Sequence, residues 1–228
     1  MSSDTKTARI VGSLFLLGFA GIPATLLSKP ILDAPDYLVR ISGSATSLTW
    51  AVFFQLVMAV ACASIGVWLY PVLRRHDEAL ALGAAGFRLI EGALYFLPMI
   101  GMLALVPLSR EYVSAGAPSD SYHQTIGALI RAACDDTNNV FVLTAWCIGA
   151  SMYYYVFFRA KLIPRWLSSW GLAGVAMTIG SSLLVMFRVL RPMSELQVLV
   201  NLPIALQELV MAIWLMVKGF NSFPSPER

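Results

Sequence analysis

Six blocks of mainly apolar residues dominate this chain, and each is long enough to cross a lipid bilayer as a helix. About 30 Å of hydrocarbon needs roughly 20 residues of α-helix. Of the 228 residues, 58% are hydrophobic and 13% are charged, whereas soluble domains carry about 25% charged residues. The sequence therefore predicts an all-α, polytopic integral membrane protein. The six predicted spans run from Arg9 to Leu27, Leu48 to Leu73, Ala79 to Leu108, Val140 to Phe158, Trp166 to Phe187 and Leu196 to Phe220.

The spans predict a single transmembrane domain over residues 9–220, with a cytoplasmic tail before it (1–8) and a disordered tail after it (221–228). The first block could instead be a signal peptide. We interpret it as a span because its apolar core is long and no small-residue cleavage site precedes a polar segment. In the one long polar stretch, residues 109–139, apolar residues recur at helical spacing between Tyr122 and Ala133. That pattern predicts a short interfacial helix leading into the fourth span.

Basic residues predict the orientation, because cytoplasmic loops of membrane proteins carry an excess of Lys and Arg. With both termini inside, nine of the 16 basic residues are cytoplasmic, six lie on the opposite side and Arg88 lies within a span. The predicted location is the inner (plasma) membrane. The lipid bilayer is therefore an expected partner of the protein.

Several functions find no support in the residues. No basic stripe carries interleaved aromatic residues, so we expect no nucleic-acid partner. His76 and His123 both lie outside the spans, which disfavours haem ligation within the membrane, and no Cys/His spacing indicates a metal site. The three cysteines show no paired spacing, which disfavours a disulfide framework. Neither a cofactor nor an oligomeric state is indicated.

Charged residues inside the spans carry most of the functional information. An ionisable group at the bilayer centre costs at least about 2.5–3.5 kcal/mol, so it normally faces the protein interior and has a partner. Arg88 and Glu91 lie three residues apart on the third span, where they share a helix face and can pair. Helical rise places these two and Glu208 of the sixth span roughly 14–18 Å from the cytoplasmic end. We therefore expect Arg88 to contact Glu91, Glu208 or both, in one layer.

Two interpretations of this layer stay open. The charges could form a buried ion pair that fixes the third helix against the sixth, or they could surround a site for a ligand, proton or substrate. For the second interpretation the candidate ligand-binding residues are Arg88, Glu91, Glu208, Gln207 and Asn201. Asp135 and Asp136 could bind a cation, although a solvated helix N-terminus explains them as well.

Several short elements of the sequence resemble those of one known family. They are Ala8 to Gly12, Tyr70 to Leu73, Ala81 to Gly83, the Phe-Arg-x-x-Glu element from Phe87 to Glu91, and Pro203, Glu208 and Trp214 to Phe220. Together they resemble the bacterial domain-of-unknown-function 4386 family of multi-span membrane proteins. The resemblance implies the multi-span architecture and again points to Arg88, Glu91 and Glu208, but it implies no reaction.

Three functions are compatible with these observations. The first is a protein that binds or transports a small or lipophilic molecule in a cavity lined by buried charges, and we favour it. The second is a membrane enzyme that acts on a lipid-like substrate with Glu91 or Glu208 as acid or base; no nucleophile motif or metal ligands support it. The third is a structural or accessory membrane protein without a ligand.

Overall fold

The computed structural model describes residues 3–118 and 121–221, and helices account for nearly all of them. In chain order the first five helices are α1 (Ser3–Gly18), α2 (Gly21–Leu32), α3 (Tyr37–Gly43), α4 (Ala45–Leu73) and α5 (Glu78–Leu94). The next are α6 (Phe96–Ser114), α7 (Tyr122–Asp136), a π-helical segment (Thr137–Val142), α8 (Leu143–Ala160), α9 (Arg165–Met186) and α10 (Glu195–Val217). Within the described ranges, six helical stretches are long and apolar enough to cross a membrane. The all-α, six-span prediction is thus confirmed.

The first and third spans are each interrupted once, which the sequence analysis did not predict. α1 passes to α2 at Phe19 and Ala20, and α5 passes to α6 at Tyr95. Each break is followed within a few residues by a proline, Pro23 or Pro98. A proline has no N–H to donate to the carbonyl four residues earlier, and its ring clashes with that turn. The carbonyls that lose this bond are those of Phe19 and Leu94, directly at the two breaks, and the Phe19 carbonyl accepts from the Ile22 N–H at 2.9 Å instead.

The six spans form a closed ring. α1 packs against α4, α4 against α5, α5 against α8, α8 against α9, α9 against α10, and α10 returns to α1. Contacts between loops define two ends of this ring. Arg75 bonds Asp4 at 2.9 Å, and Asn221 donates to the Lys161 carbonyl at 2.7 Å, at what we call the N-terminal end. Arg188 bonds Asp136 at 2.7 Å at what we call the opposite end.

The helix that the sequence predicted before the fourth span is α7, and it begins at Tyr122 as expected. It extends to Asp136, three residues beyond the predicted end, and packs against α6 as a helical hairpin. α3 packs against α6 as well. No break separates α7 from the fourth span, because the helix continues from α7 through the π-helical segment directly into α8.

The two predicted tails meet the structure differently. α1 begins at Ser3, and Ala8 is fully buried, so most of the segment expected as an N-terminal tail is helical. Of the predicted C-terminal tail, only Asn221 lies within the described residues.

Candidate functional site

Arg88 and Glu91 form an ion pair inside the ring, as their spacing predicted. Arg88 Nη1 lies 2.9 Å from Glu91 Oε2, and both side chains are almost completely buried. Arg88 Nε also donates to the backbone carbonyl of Cys62 on α4 at 3.2 Å, and its guanidinium lies 6.0 Å from the centre of the Phe15 ring. The ion pair lies within α5 and therefore does not join the third span to the sixth, whereas the bond from Arg88 to the Cys62 carbonyl connects α5 to α4.

Glu208 lies near this pair without joining it. It is close enough to interact electrostatically with Arg88 and Glu91, and the Trp146 side chain lies within hydrogen-bonding reach of its carboxyl group. Among the ion pairs of the described residues, however, Arg88 is joined to Glu91 and not to Glu208. Glu208 Oε1 is buried and has no hydrogen-bond partner in the described part of the chain. We call Arg88, Glu91 and Glu208 the charge layer.

The remaining accessible surface of Glu208 faces the interior of the ring. Glu208 is half-buried, yet Ile204, Met211 and Leu215, which share its helix face at three-, four- and seven-residue spacing, are all buried. On the other side of α10, Leu206 and Ile213 are exposed. Glu208 therefore lies on the face of α10 that points into the ring and not on the lipid-facing face.

Gln207, another predicted ligand-binding residue, connects three helices. Its Oε1 accepts a hydrogen bond from the Tyr154 hydroxyl on α8 at 2.6 Å, and its Nε2 donates to the Leu167 carbonyl on α9 at 3.0 Å. The side chain is completely buried. A ligand-binding role for Gln207 stays a prediction, but its present contacts hold α10 against α8 and α9.

A cavity of about 590 Å³ lies between α2, α4, α6, α7, the π-helical segment and α10, towards the opposite end of the ring. Of the five candidate ligand-binding residues, only Asn201 lines it. Its polar lining is rich in side-chain amides, and one wall, from α6, is apolar. The amide residues are Gln55, Asn138, Asn139, Gln197 and Asn201, and the apolar wall contains Pro98, Met102 and Leu105.

Two of the amides are held in place by neighbours, and one has an unused donor. Gln55 Nε2 donates to Asn138 Oδ1 at 3.3 Å, and Asn201 Oδ1 accepts from the Ser181 hydroxyl at 3.1 Å. Gln197 is 2% exposed, and its Oε1 accepts from the Met193 backbone N–H at 2.7 Å. Its Nε2 has no hydrogen-bond partner within the described residues. A buried amide donor without a partner is costly, and this nitrogen is itself inaccessible from the cavity.

The π-helical segment supplies Asn138 and Asn139 to the cavity wall. Single π-turns inside longer helices are rare overall, but those that occur are often found at functional sites. Here the wider turn lies between α7 and α8, where Asn139 Nδ2 donates to the Asp135 carbonyl at 2.8 Å. This hydrogen bond lies at the start of the π-helical segment, next to the cavity.

The charge layer lies directly beneath the cavity floor. Four parts of the ring each place a cavity-lining residue three or four positions from a residue of the buried polar interior: Met58 and Cys62, Tyr95 and Glu91, Leu143 and Trp146, Ala205 and Glu208. Such a spacing corresponds to one helical turn, about 5 Å of rise. The floor is therefore a thin layer that separates the cavity from the charges.

Charged residues surround the mouth of the cavity. Lys29, Asp33, Arg131 and Asp135 all line it. Arg131 reaches Asp33 at 3.7 Å and covers the Tyr37 ring at 4.6 Å, which holds α7 over the cavity. Partial burial raises the pKa of the Tyr37 phenol, although the nearby Arg131 cation opposes this effect. Tyr37 is therefore a neutral ring beneath the guanidinium at neutral pH.

With this geometry established, the comparisons with known proteins give the family. The model of the family described as "Domain of unknown function (DUF4386)" matches residues 10–219. The chain belongs to this family. No curated protein and no solved structure matches it. Membership in DUF4386 confirms the resemblance, but it assigns no activity or ligand.

The sequence analysis identified the charge layer and overlooked most of the cavity. Of the cavity's amide residues, the sequence predicted only Asn201 as a ligand-binding residue, and not Gln55, Asn138, Asn139 or Gln197. The available signal was the number of side-chain amides near one end of several spans, because amides in apolar segments need partners. That signal indicates a polar region but not an open space.

Proposed function

We propose that this DUF4386 protein binds a small amphipathic molecule in the cavity near the opposite end of the ring. The observation that carries this proposal is the cavity of about 590 Å³, with amides on several sides and an apolar wall from α6. Sites for small molecules are typically concave spaces of about 300–1,000 Å³ with apolar walls and a few polar groups that orient the ligand. The side-chain amides of Asn138 and Asn201, which line the cavity, are groups of this kind.

A filling substitution tests the proposal. Ala205 forms part of the cavity floor on α10, so Ala205→Phe would occupy space that a ligand needs. The matched control is Leu209→Phe on the same helix, where the side chain is exposed at the lipid-facing surface. We would measure binding of 2-phenylethanol to the purified protein in nanodiscs by calorimetry, with empty nanodiscs subtracted.

We expect saturable binding to the parent and to Leu209→Phe, and at least about a tenfold weaker affinity for Ala205→Phe. Thermal melting of all three proteins would verify that they are folded. Binding that is absent from the parent, or equal in Ala205→Phe and the parent, would contradict the proposal and favour a structural role for the buried polar residues.

A further inference from the structure

We propose that the cavity selects a cationic amphipathic molecule, an organic ammonium ion, and that Glu208 is its counter-ion. This inference rests on the proposed binding function and names the chemical class of the ligand. It is carried by the charge balance around the cavity, the inward-facing surface of Glu208 and the thin floor between them.

The charge balance leaves one carboxyl group without a basic partner. At the mouth, Lys29 and Arg131 balance Asp33 and Asp135. In the charge layer, Arg88 is paired with Glu91 at 2.9 Å, which leaves Glu208 unbalanced. An unpaired carboxyl group in an apolar interior either takes up a proton or attracts a cation. A ligand cation would supply the missing positive charge.

The position of Glu208 makes this pairing geometrically accessible. Ala205 lines the floor and Glu208 follows three residues later on the same helix, about 4.5 Å deeper. Oε1 of Glu208 has no hydrogen-bond partner in the described ranges, and the accessible part of the side chain faces inward. An ammonium group that rests on the floor at Ala205 would be one helical turn of α10 from the backbone position of Glu208.

The floor itself suits a cation. Tyr95 lines it at the junction of α5 and α6, and a tyrosine ring face attracts ammonium groups. The amide oxygens of Asn138 and Asn201 lie higher on the wall and present further acceptors. The apolar residues of α6 then contact the remaining, apolar part of the molecule. The site therefore combines a nearby carboxyl group that can carry a negative charge, partial negative charges and an apolar wall.

Three probe molecules of similar shape and different charge test the inference. The probes are 2-phenylethylamine, 2-phenylethanol and 3-phenylpropanoate, which have similar size and carry a positive, a neutral and a negative end at neutral pH. Each would be titrated by calorimetry into the parent protein in nanodiscs. The variants are Glu208→Gln, which removes the charge and retains the shape, and Glu195→Gln, which removes an exposed carboxylate at the start of α10.

We expect the parent to bind the amine at least about tenfold more tightly than the alcohol, and the carboxylate most weakly. Glu208→Gln should lose the preference for the amine and retain the affinity for the alcohol within about twofold, while Glu195→Gln behaves like the parent. Equal affinities of the parent for amine and alcohol would overturn the inference whether or not Glu208→Gln folds. If 2-phenylethanol binds in a way that Ala205→Phe abolishes, the binding function stands even when this inference fails.

Discussion

Arg88 is the single residue whose environment is most demanding. Its side chain is 1% exposed, and its charge is offset by Glu91 and by the Cys62 carbonyl. Removing one partner from a buried ion pair typically costs about 3–5 kcal/mol, because the other charge stays buried without compensation. We expect Arg88→Ala to lower the free energy of unfolding by about this amount and Arg88→Lys by less.

The buried cysteines Cys62 and Cys147 provide the measurement, since a thiol-reactive dye reports their exposure during thermal melting. Arg110→Ala, at an exposed position, is the control and should melt like the parent. The double variant Arg88→Met/Glu91→Gln should recover part of the loss, because it removes both charges together. An Arg88→Ala protein as stable as the parent would show that the pair contributes nothing to folding.

Tyr154 offers a second test at this scale. Its hydroxyl donates to Gln207 Oε1 at 2.6 Å inside the ring, and its neighbour Tyr155 is 44% exposed. Tyr154→Phe leaves a buried acceptor unsatisfied, which costs about 1–3 kcal/mol. Tyr155→Phe loses the same atom where it is exposed, so we expect almost no change. The same melting assay compares them, and equal melting temperatures would contradict the role of Gln207 as a connection between helices.

The residue-scale predictions from sequence succeeded where the chemistry is local. Three-residue spacing predicts the Arg88–Glu91 pair, because both residues lie on one helix. Whether Glu208 joins them depends on the order of the helices in the ring, which hydropathy does not contain. α5 contacts α4 and α8, and α10 contacts α9 and α1. With α5 and α10 at non-neighbouring positions of the ring, Glu208 lies near the pair without bonding it.

At the scale of elements, close packing of α4 and α5 depends on a glycine. A Cβ added at Gly66 would lie 2.8 Å from Arg88 Cβ and 3.0 Å from Ala85 Cα, so the two backbones would have to separate. Overpacking of this kind typically costs about 1–3 kcal/mol. We expect Gly66→Ala to be destabilised by that amount and to move Arg88 away from the Cys62 carbonyl.

Gly86, on α5, is the matched control because a Cβ there has nothing within 4 Å. Gly86→Ala should be neutral or more stable by up to about 1 kcal/mol, as alanine is the better helix former. Melting of both variants in the same detergent gives the comparison. If Gly86→Ala were the more damaging change, the packing of α4 against α5 would not be as described.

Element boundaries show why hydropathy was sufficient for the spans and insufficient for the site. Apolar length located all six, because crossing the bilayer requires it. The breaks before Pro23 and Pro98 and the π-turn at Thr137–Val142 interrupt the regular α-helical pattern without changing the hydropathy of the spans. Those changes border the cavity at Gly21, Tyr95 and Asn138. A membrane-spanning pattern therefore predicts the ring but not the space within it.

At the scale of the whole molecule, the orientation of the protein in the membrane decides to which side the cavity opens. Because the six spans alternate in direction, the Arg75 and Arg165 loops lie at the N-terminal end of the ring and residues 115–118 at the opposite end. The excess of basic residues predicts that the N-terminal end is cytoplasmic. The cavity would then open towards the outside of the cell, and its ligand would arrive from there.

Reporter fusions decide this orientation. Green fluorescent protein should fluoresce when fused after Arg75 or after Arg165, and alkaline phosphatase should be active when inserted within residues 115–118. If all three signals were reversed, the orientation of the protein in the membrane would be the opposite one. The ring would be unchanged, but the cavity would open to the cytoplasm. In the six-span ring, one crossing separates Arg75 from residue 115, so the two positions must lie on opposite sides of the membrane. Cytoplasmic signals from all three fusions would therefore contradict the six-span ring itself.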